Sequence, residues 1–348
     1  MAHHGAAGPV GAVTRLDDIR QKYQYMKSGD PRVKPEREKG KPKTRDSLMD
    51  PQKPVFERNK KHIKKLVALK GDLEKVESKA RMDAEHITVY PFDIETTRAD
   101  FTKVYFGKRR EGKSFAMRWD LYCMRDQLPR GYVFTSTKIN GYWQKFVPPR
   151  FVFDGYNRAV LAAIIDQQKQ LIEYLGKHPD VVINPNIFLV LDDCVTEDLF
   201  HEPELNTIFF NGRHLRVFLL MSTQYAKRIP PGMRENVDQA TIFRVHNLNQ
   251  AEAICEGFLG HWRKEVAMKC LDENVWQDPE TGERQFMVVD SSGNYPIDEM
   301  VRIGRAIDPD EIDFGWVMGC REYWGDEWDD ATNKPKDLSI VSGLDSKS

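Results

Sequence analysis

Residues 107–114 read Gly107-Lys108-Arg109-Arg110-Glu111-Gly112-Lys113-Ser114, a full match to G-x-x-x-x-G-K-[ST]. This spacing binds the phosphates of a nucleotide. The two glycines allow the backbone angles that turn successive N–H groups inward around phosphate oxygens. A helix beginning at the end of the loop adds its partial positive charge. Lys113 has the reach for the β and γ phosphates, and the Ser114 hydroxyl for a magnesium shell. Lys108, Arg109, Arg110 and Glu111 make the loop interior cationic where small residues are common.

Two carboxylates, Asp192 and Asp193, end the apolar run Ile187-Phe188-Leu189-Val190-Leu191. A buried strand of this kind delivers its acids to the sheet edge where ligands bind in open α/β folds. Asp-Asp after an apolar strand is common by itself. Its position 79 residues beyond Lys113 ties it to the loop. Asp192 then suits the magnesium role, and Asp193 can orient and deprotonate an attacking water. A third group is the run 216–221 followed by Ser222-Thr223-Gln224. A strand inserted between the loop strand and the acid strand would bring Gln224 or Thr223 beside the γ phosphate. Arg213 precedes that run and Arg234 follows it. A lone arginine is ordinarily a solvated surface residue, so each needs support from elsewhere.

Positioning these groups requires strands alternating with helices. The expected strands are 103–106, 131–136, 187–191, 216–221 and 240–245, with helices at 114–127, 157–175 and about 201–211. This alternation predicts βαβ units around a mostly parallel, buried sheet. In the helix after the loop, Met117, Leu121, Met124 and Leu128 mark one buried face. Residues 285–290, a Ser-Ser-Gly turn and 294–297 predict a hairpin appended to the sheet.

The flanks differ from this core. The first sixty residues lack apolar periodicity and are expected to be poorly ordered up to a helix over 56–82. Leu66, Leu69, Leu73, Val76 and Ala80 follow 3-4-3-4 spacing there, predicting a helix laid on the main domain, with an oligomerisation helix as the alternative. Residues 1–86 hold 21 basic and 13 acidic residues, a net +8. Residues 308–348 hold 4 basic and 11 acidic, a net −7. A whole-chain charge of −1 conceals this asymmetry. The expected organisation is a basic extension over 1–86, an ATPase domain over 87–306 and an acidic tail over 307–348. The mean hydropathy is −0.59. No apolar run approaches the ~20 residues of a membrane-spanning helix, which argues against a transmembrane protein. Five scattered cysteines without a C-x-x-C pair argue against a disulfide framework or structural zinc, and for a reducing compartment.

Taken in order, GKRREGKS, IFLVLDD, NGRH, STQ and IPPGMREN resemble a genome-packaging ATPase of nucleocytoplasmic large DNA viruses, poxvirus-like, in the FtsK–HerA superfamily. The resemblance covers about residues 87–300. It implies a RecA-like P-loop NTPase fold with ATP and Mg²⁺ as cofactors, and ATP hydrolysis coupled to moving double-stranded DNA. It also implies a homo-oligomeric ring of five or six subunits, capsid or portal-vertex partners, and a place in the host cytoplasm or the virion. In FtsK-like motors a trans-acting arginine lies eleven residues before the sensor glutamine. Arg213 stands eleven residues before Gln224, which favours it over Arg234. Many FtsK-like members carry Asp-Glu where this chain has Asp192-Asp193. A cellular HerA or conjugation-type translocase shares the mechanism. A small-molecule kinase shares only the loop and would need neither Gln224 nor Arg213.

Overall fold

A computed structural model of the chain describes residues 55–329, 332 and 334–336. The predicted disordered stretch through residue 54, with most of the basic arm, and the last residues of the acidic tail lie outside the described residues. The chain divides into two compact units, the first ending at Ala84 and the second beginning at Glu85. Among the described residues the first contributes one helix, α1 (Val55–Asp83). Leu66, Leu69, Leu73 and Val76 are half-buried along it, while Ile63 and Val67 are exposed.

The second unit is an α/β domain built on a mostly parallel sheet. Its strands are β1 (Tyr90–Pro91), β2 (Thr102–Phe106), β3 (Arg130–Thr135), β4 (Val152–Asp154), β5 (Ile187–Asp192) and β6 (Val217–Thr223). They continue as β7 (Gln239–Ile242), β8 (Trp276–Gln277), β9 (Arg284–Asp290) and β10 (Val301–Gly304). The order across the sheet is β1-β10-β9-β7-β2-β6-β5-β3-β4, with β8 paired to β9. Strands β7, β2, β6, β5, β3 and β4 run parallel, and β9 runs antiparallel to both β7 and β10. Helices α2 (Lys113–Met124), α3 (Arg158–Lys177) and α4 (Pro203–Asn211) follow β2, β4 and β5. Next come α5 (Pro231–Arg234), α6 (Leu248–Phe258) and α7 (Lys264–Asn274), and then α8 (Pro309–Ile312) and α9 (Arg321–Trp324).

Every residue of β2, β5 and β6 is buried, as a sheet covered on both faces requires. Burying each Val, Leu or Phe side chain contributes roughly 1.5–3 kcal/mol, so these strands anchor the domain. The expected face of α2 packs inward: Met117 and Leu121 are fully buried and Met124 is 2% exposed, while Leu128, also fully buried, lies beyond the helix end. Among the described residues no helix is long and apolar enough to cross a membrane.

The strand expected to 245 ends at Ile242 and the helix expected to 127 ends at Met124, and three regions depart further. The hairpin does not return at 294–297. Asp290 accepts from Ser292 N, Pro296 leads into a 3₁₀ turn at Ile297–Glu299, and the returning strand is β10, with Val301 opposite Val289. The helix expected over 201–211 is a 3₁₀ turn, Asp198–His201, followed by α4, because Pro203 restarts the helix at a position where proline needs no N–H partner. Nor is the segment after Ala306 simply an acidic tail. Met318 and Trp324 are fully buried, Trp316 and Tyr323 nearly so, and all four join the core cluster around Phe146 and Tyr122. Arg150 donates to the carbonyls of Tyr323 and Trp324, and Arg118 of α2 bridges Asp308 and Asp310. Net charge concealed the aromatic residues interspersed among these acids.

Candidate nucleotide site

The register of the parallel strands gathers the chemistry on one edge. Phe106 lies opposite Thr223, and Thr135 opposite Asp192, so the turns after β2, β5 and β6 leave the sheet side by side. The 107–114 loop occupies the centre. Gly107 N donates to Thr223 O, and a Cβ on Gly107 would lie 2.9 Å from the Cβ of Phe243. Gly112 adopts φ 98°, a left-handed conformation that turns the chain into α2 and that a side chain would strain. Arg110 also has positive φ, 70°, and Arg284 Nη2 donates to its carbonyl at 3.2 Å. Lys108, Arg109 and Arg110 are exposed, whereas Glu111 turns inward to His246 Nε2 at 3.1 Å.

Lys113 is only 4% exposed. Its ammonium donates to the carbonyls of Gly107 and Lys108, both at 2.9 Å, and lies 3.9 Å from Asp193 Oδ1. The loop curls over its own lysine, because a buried cation needs these acceptors. Burial pulls the Lys113 pKa below the ordinary lysine value, against the opposing fields of Asp193, Asp192 and Glu111.

Asp192 ends β5 with 3% exposure and accepts three hydrogen bonds. Ser114 Oγ donates to Oδ2 at 2.8 Å, Trp143 Nε1 to Oδ2 at 3.0 Å, and Ser222 Oγ to Oδ1 at 2.9 Å. Burial pushes the carboxyl above the usual carboxylate range, and these three donors work the other way. Asp193 has φ 51°, uncommon for a residue with a side chain. Its N–H donates to Ser222 Oγ at 2.9 Å and its carbonyl accepts from Ser136 Oγ at 3.0 Å. The consecutive acids therefore diverge: Asp192 is held among donors, and Asp193 faces the lysine with its side chain 23% exposed.

Strand β6 does lie between β2 and β5, as expected for a sensor strand. Thr223 ends it, and Gln224, half-buried, leads the turn beyond. Arg213 is elsewhere. It precedes β6, so the seven residues of that strand, roughly 20 Å of chain, separate it from the loop edge. Its side chain is 59% exposed and its Nη2 is 3.5 Å from Asp238 Oδ1. Asp238 in turn accepts from Thr102 N at 2.7 Å, at the start of β2. Arg234 precedes the parallel strand β7, on this same far edge, with its Nε buried. Both arginines lie at the opposite edge of the sheet from the 107–114 loop.

Sequence reasoning missed Trp143, Ser222 and Ser136. Ser222 stands in the Ser222-Thr223-Gln224 run, where only Thr223 and Gln224 carried an expected role. Trp143, 1% exposed, comes from the loop after β3, where no spacing marks it.

Asp192 and Ser114 form a hard-oxygen donor set that fits magnesium, a cation held by one or two carboxylates while phosphate oxygens and water complete its shell. Among the described residues no cluster of three or more His, Cys, Asp or Glu side chains forms a separate metal cage.

The chain is 31% identical over 255 residues to Uncharacterized protein 075L of Invertebrate iridescent virus 6, covering 69% of this chain and 93% of that one. It is 29% identical over 182 residues to Uncharacterized protein 088R of Invertebrate iridescent virus 3, covering 51% and 67%. Among solved structures, a genome packaging NTPase of Sulfolobus turreted icosahedral virus 2 is similar at 17% identity with a TM-score of 0.39, over 60% of this chain and all of that one. With a family match that spans residues 92–295, more than half its length, the chain belongs to the Poxvirus A32 protein family.

Proposed function

We propose that this chain hydrolyses ATP at the 107–114 loop and uses the energy to move double-stranded DNA, packaging a viral genome into a capsid. The observation that carries the reading is the convergence of Lys113, Ser114, Asp192 and Asp193 on one sheet edge. Membership in the Poxvirus A32 family and the motif resemblance support DNA as the cargo.

In this reading the N–H groups of the loop and the start of α2 receive the phosphates. Lys113 exchanges its loop carbonyls for β- and γ-phosphate oxygens. Ser114 and Asp192 would hold Mg²⁺, which when bound neutralises phosphate charge. Asp193 takes a proton from water as the water oxygen attacks the γ phosphorus, and ADP leaves with the electrons of the broken P–O bond. Gln224, or Thr223 beside it, orients that water. Trp143 and Ser222 fix the Asp192 carboxylate, so its second oxygen cannot rotate away.

Arg213 acts on a neighbour's nucleotide. Its position across the sheet from its own loop suits subunits that associate head to tail, the arrangement that closes into a ring. DNA contact is mainly to phosphates and so falls with added salt. The test is hydrolysis of ATP by the purified protein with and without double-stranded DNA across a salt series. DNA-stimulated turnover that declines with salt is expected. Turnover indifferent to DNA, or phosphate transferred to a small acceptor, would overturn the reading.

A further inference from the structure

Asp192 Oδ2 takes hydrogen bonds from two different elements, from Ser114 at the start of α2 and from Trp143 on the loop after β3. The two donors converge on one oxygen only while α2 and that loop keep their spacing. Tyr142 ties them once, donating to Ser114 O at 3.3 Å. Further ties come from a third segment, residues 308–324, which begins beyond residue 295, where the family match ends.

Trp316 of that segment is wedged between the two elements. Its ring stacks on Phe146 of the loop, with centroids 5.1 Å and planes 25° apart, and meets Tyr122 of α2 edge-on at 5.2 Å. Arg118, one turn of α2 beyond Ser114, lays its guanidinium 5.2 Å from the Phe146 ring and 5.7 Å from the Trp316 ring. Asp308 and Asp310 hold that guanidinium from the same segment, and Met318 N donates to Phe146 O at 2.8 Å. Phe146 in turn packs on Trp143, with centroids 5.3 Å apart. All four rings are buried, and an interior packed at this density transmits a displacement instead of absorbing it. A change at Trp316 therefore reaches Trp143 through a single ring. Trp316 Nε1 is buried without a hydrogen-bond partner, so the indole supplies a flat face and not a donor.

We infer that residues 308–324 form a strap for the metal site, with Trp316 as a positioning residue: wedged between α2 and the loop after β3, it holds the Trp143 indole on Asp192 and so sets the affinity of the site for magnesium. The inference rests on the reading of Asp192 and Ser114 as the magnesium holders. Trp316 touches neither nucleotide nor metal. Its effect passes through Phe146 to Trp143, and through Arg118 the strap also steadies the helix that carries Ser114.

The experiment titrates magnesium calorimetrically into the full chain bound to a non-hydrolysable ATP analogue. Loss of a group that orients a metal ligand weakens metal binding about 10–100-fold. Trp143→Phe keeps the packing on Phe146 and loses the N–H, so it should fall in that range. Trp316→Leu fills much of the space without a flat face and should weaken magnesium about tenfold, whereas Trp316→Phe should restore wild-type affinity. Adding Trp316→Leu to Trp143→Phe should cost no more than about twofold further, because the first acts through the second. Affinity for the analogue without magnesium should stay as in wild type throughout. The Asp310 side chain is 40% exposed, so Asp310→Asn loosens the strap without emptying the core and carries the test if Trp316→Leu does not fold. Unchanged magnesium affinity in the variant that carries the test, no rescue by Trp316→Phe, full multiplication of the two losses in the double variant, or an equal loss of metal-free analogue binding would overturn the strap. Asp192→Asn separates this from the site reading. If that variant binds magnesium as tightly as wild type, the assignment of Asp192 to the metal fails, and the strap with it.

Discussion

Lys103 and Asp120 form an ion pair at 2.5 Å with side chains only 1% and 2% exposed. The first sits on β2, the strand that enters the loop, and the second on α2, the helix that leaves it. Tyr105, two residues on and therefore on the same face of β2, also donates to Asp120, and the Phe92 ring lies 4.6 Å from the Lys103 ammonium. The two sides of the loop are thus clamped by a charge pair within the core. Asp120→Ala leaves a buried cation uncompensated and should destabilise the domain by about 3–5 kcal/mol. Replacing both charges, Lys103→Met with Asp120→Leu, should recover most of that loss. Urea unfolding of the single and double variants checks both statements.

Lys113→Ala should bring ATP turnover to background. The variant should also remain folded: the lost ammonium bonded two loop carbonyls at the protein's edge, and net hydrogen bonds contribute about 1 kcal/mol each. Turnover and circular dichroism measured together separate lost chemistry from lost structure.

Asp193→Asn and Asp192→Asn should fail differently. At position 193 the amide cannot take the proton, so nucleotide binding persists while turnover falls by about 10²–10⁴. At position 192 the amide NH₂ would replace one acceptor oxygen and face either Ser222 or the pair Ser114 and Trp143, which donate to the carboxylate. That variant should lose about 1–3 kcal/mol of stability and require more magnesium for whatever activity remains. Nucleotide affinity, magnesium titration and thermal melting distinguish the two profiles. Identical profiles would mean that the two roles are not divided between these residues.

Arg213→Ala should bind ATP normally and hydrolyse it about 10³–10⁵-fold more slowly. The decisive measurement mixes it with Lys113→Ala. A Lys113→Ala subunit still carries Arg213 and can offer it to an Arg213→Ala neighbour, so mixed assemblies should regain turnover that neither variant shows alone. Full activity of Arg213→Ala by itself would transfer the role to Arg234.

How much of this was legible before folding depends on how local each feature is. The 107–114 loop, the α2 face through Met117, Leu121 and Met124, and the Ile187–Asp192 strand were readable because backbone conformation and side-chain period are properties of a few consecutive residues. The order in which β2, β6 and β5 lie side by side was expected from the consecutive acids and the Ser222-Thr223-Gln224 run, and the register sets Phe106 opposite Thr223. The functions of Trp143, Ser222 and Arg284 were not legible, since each acts on a partner 174 residues away or fewer but never on its own chain neighbours. The burial of Lys113 was not legible for a related reason. A lysine in a polar loop is solvated in any local reading, and only the closed path of the loop brings its own carbonyls around the ammonium. Trp316 and Trp324 were hidden within an acidic segment because charge is counted along the chain, whereas burial is decided by what the fold brings alongside. Sequence alone thus determined the 107–114 turn, the placing of Asp192 and Asp193 at a strand end and the strands themselves. Tertiary structure decided which side chains hold those acids in place and put Arg213 across the sheet from its own loop. The physical reason is that short-range backbone preferences are encoded locally, while hydrogen-bond partners and solvent exposure exist only once distant strands have met.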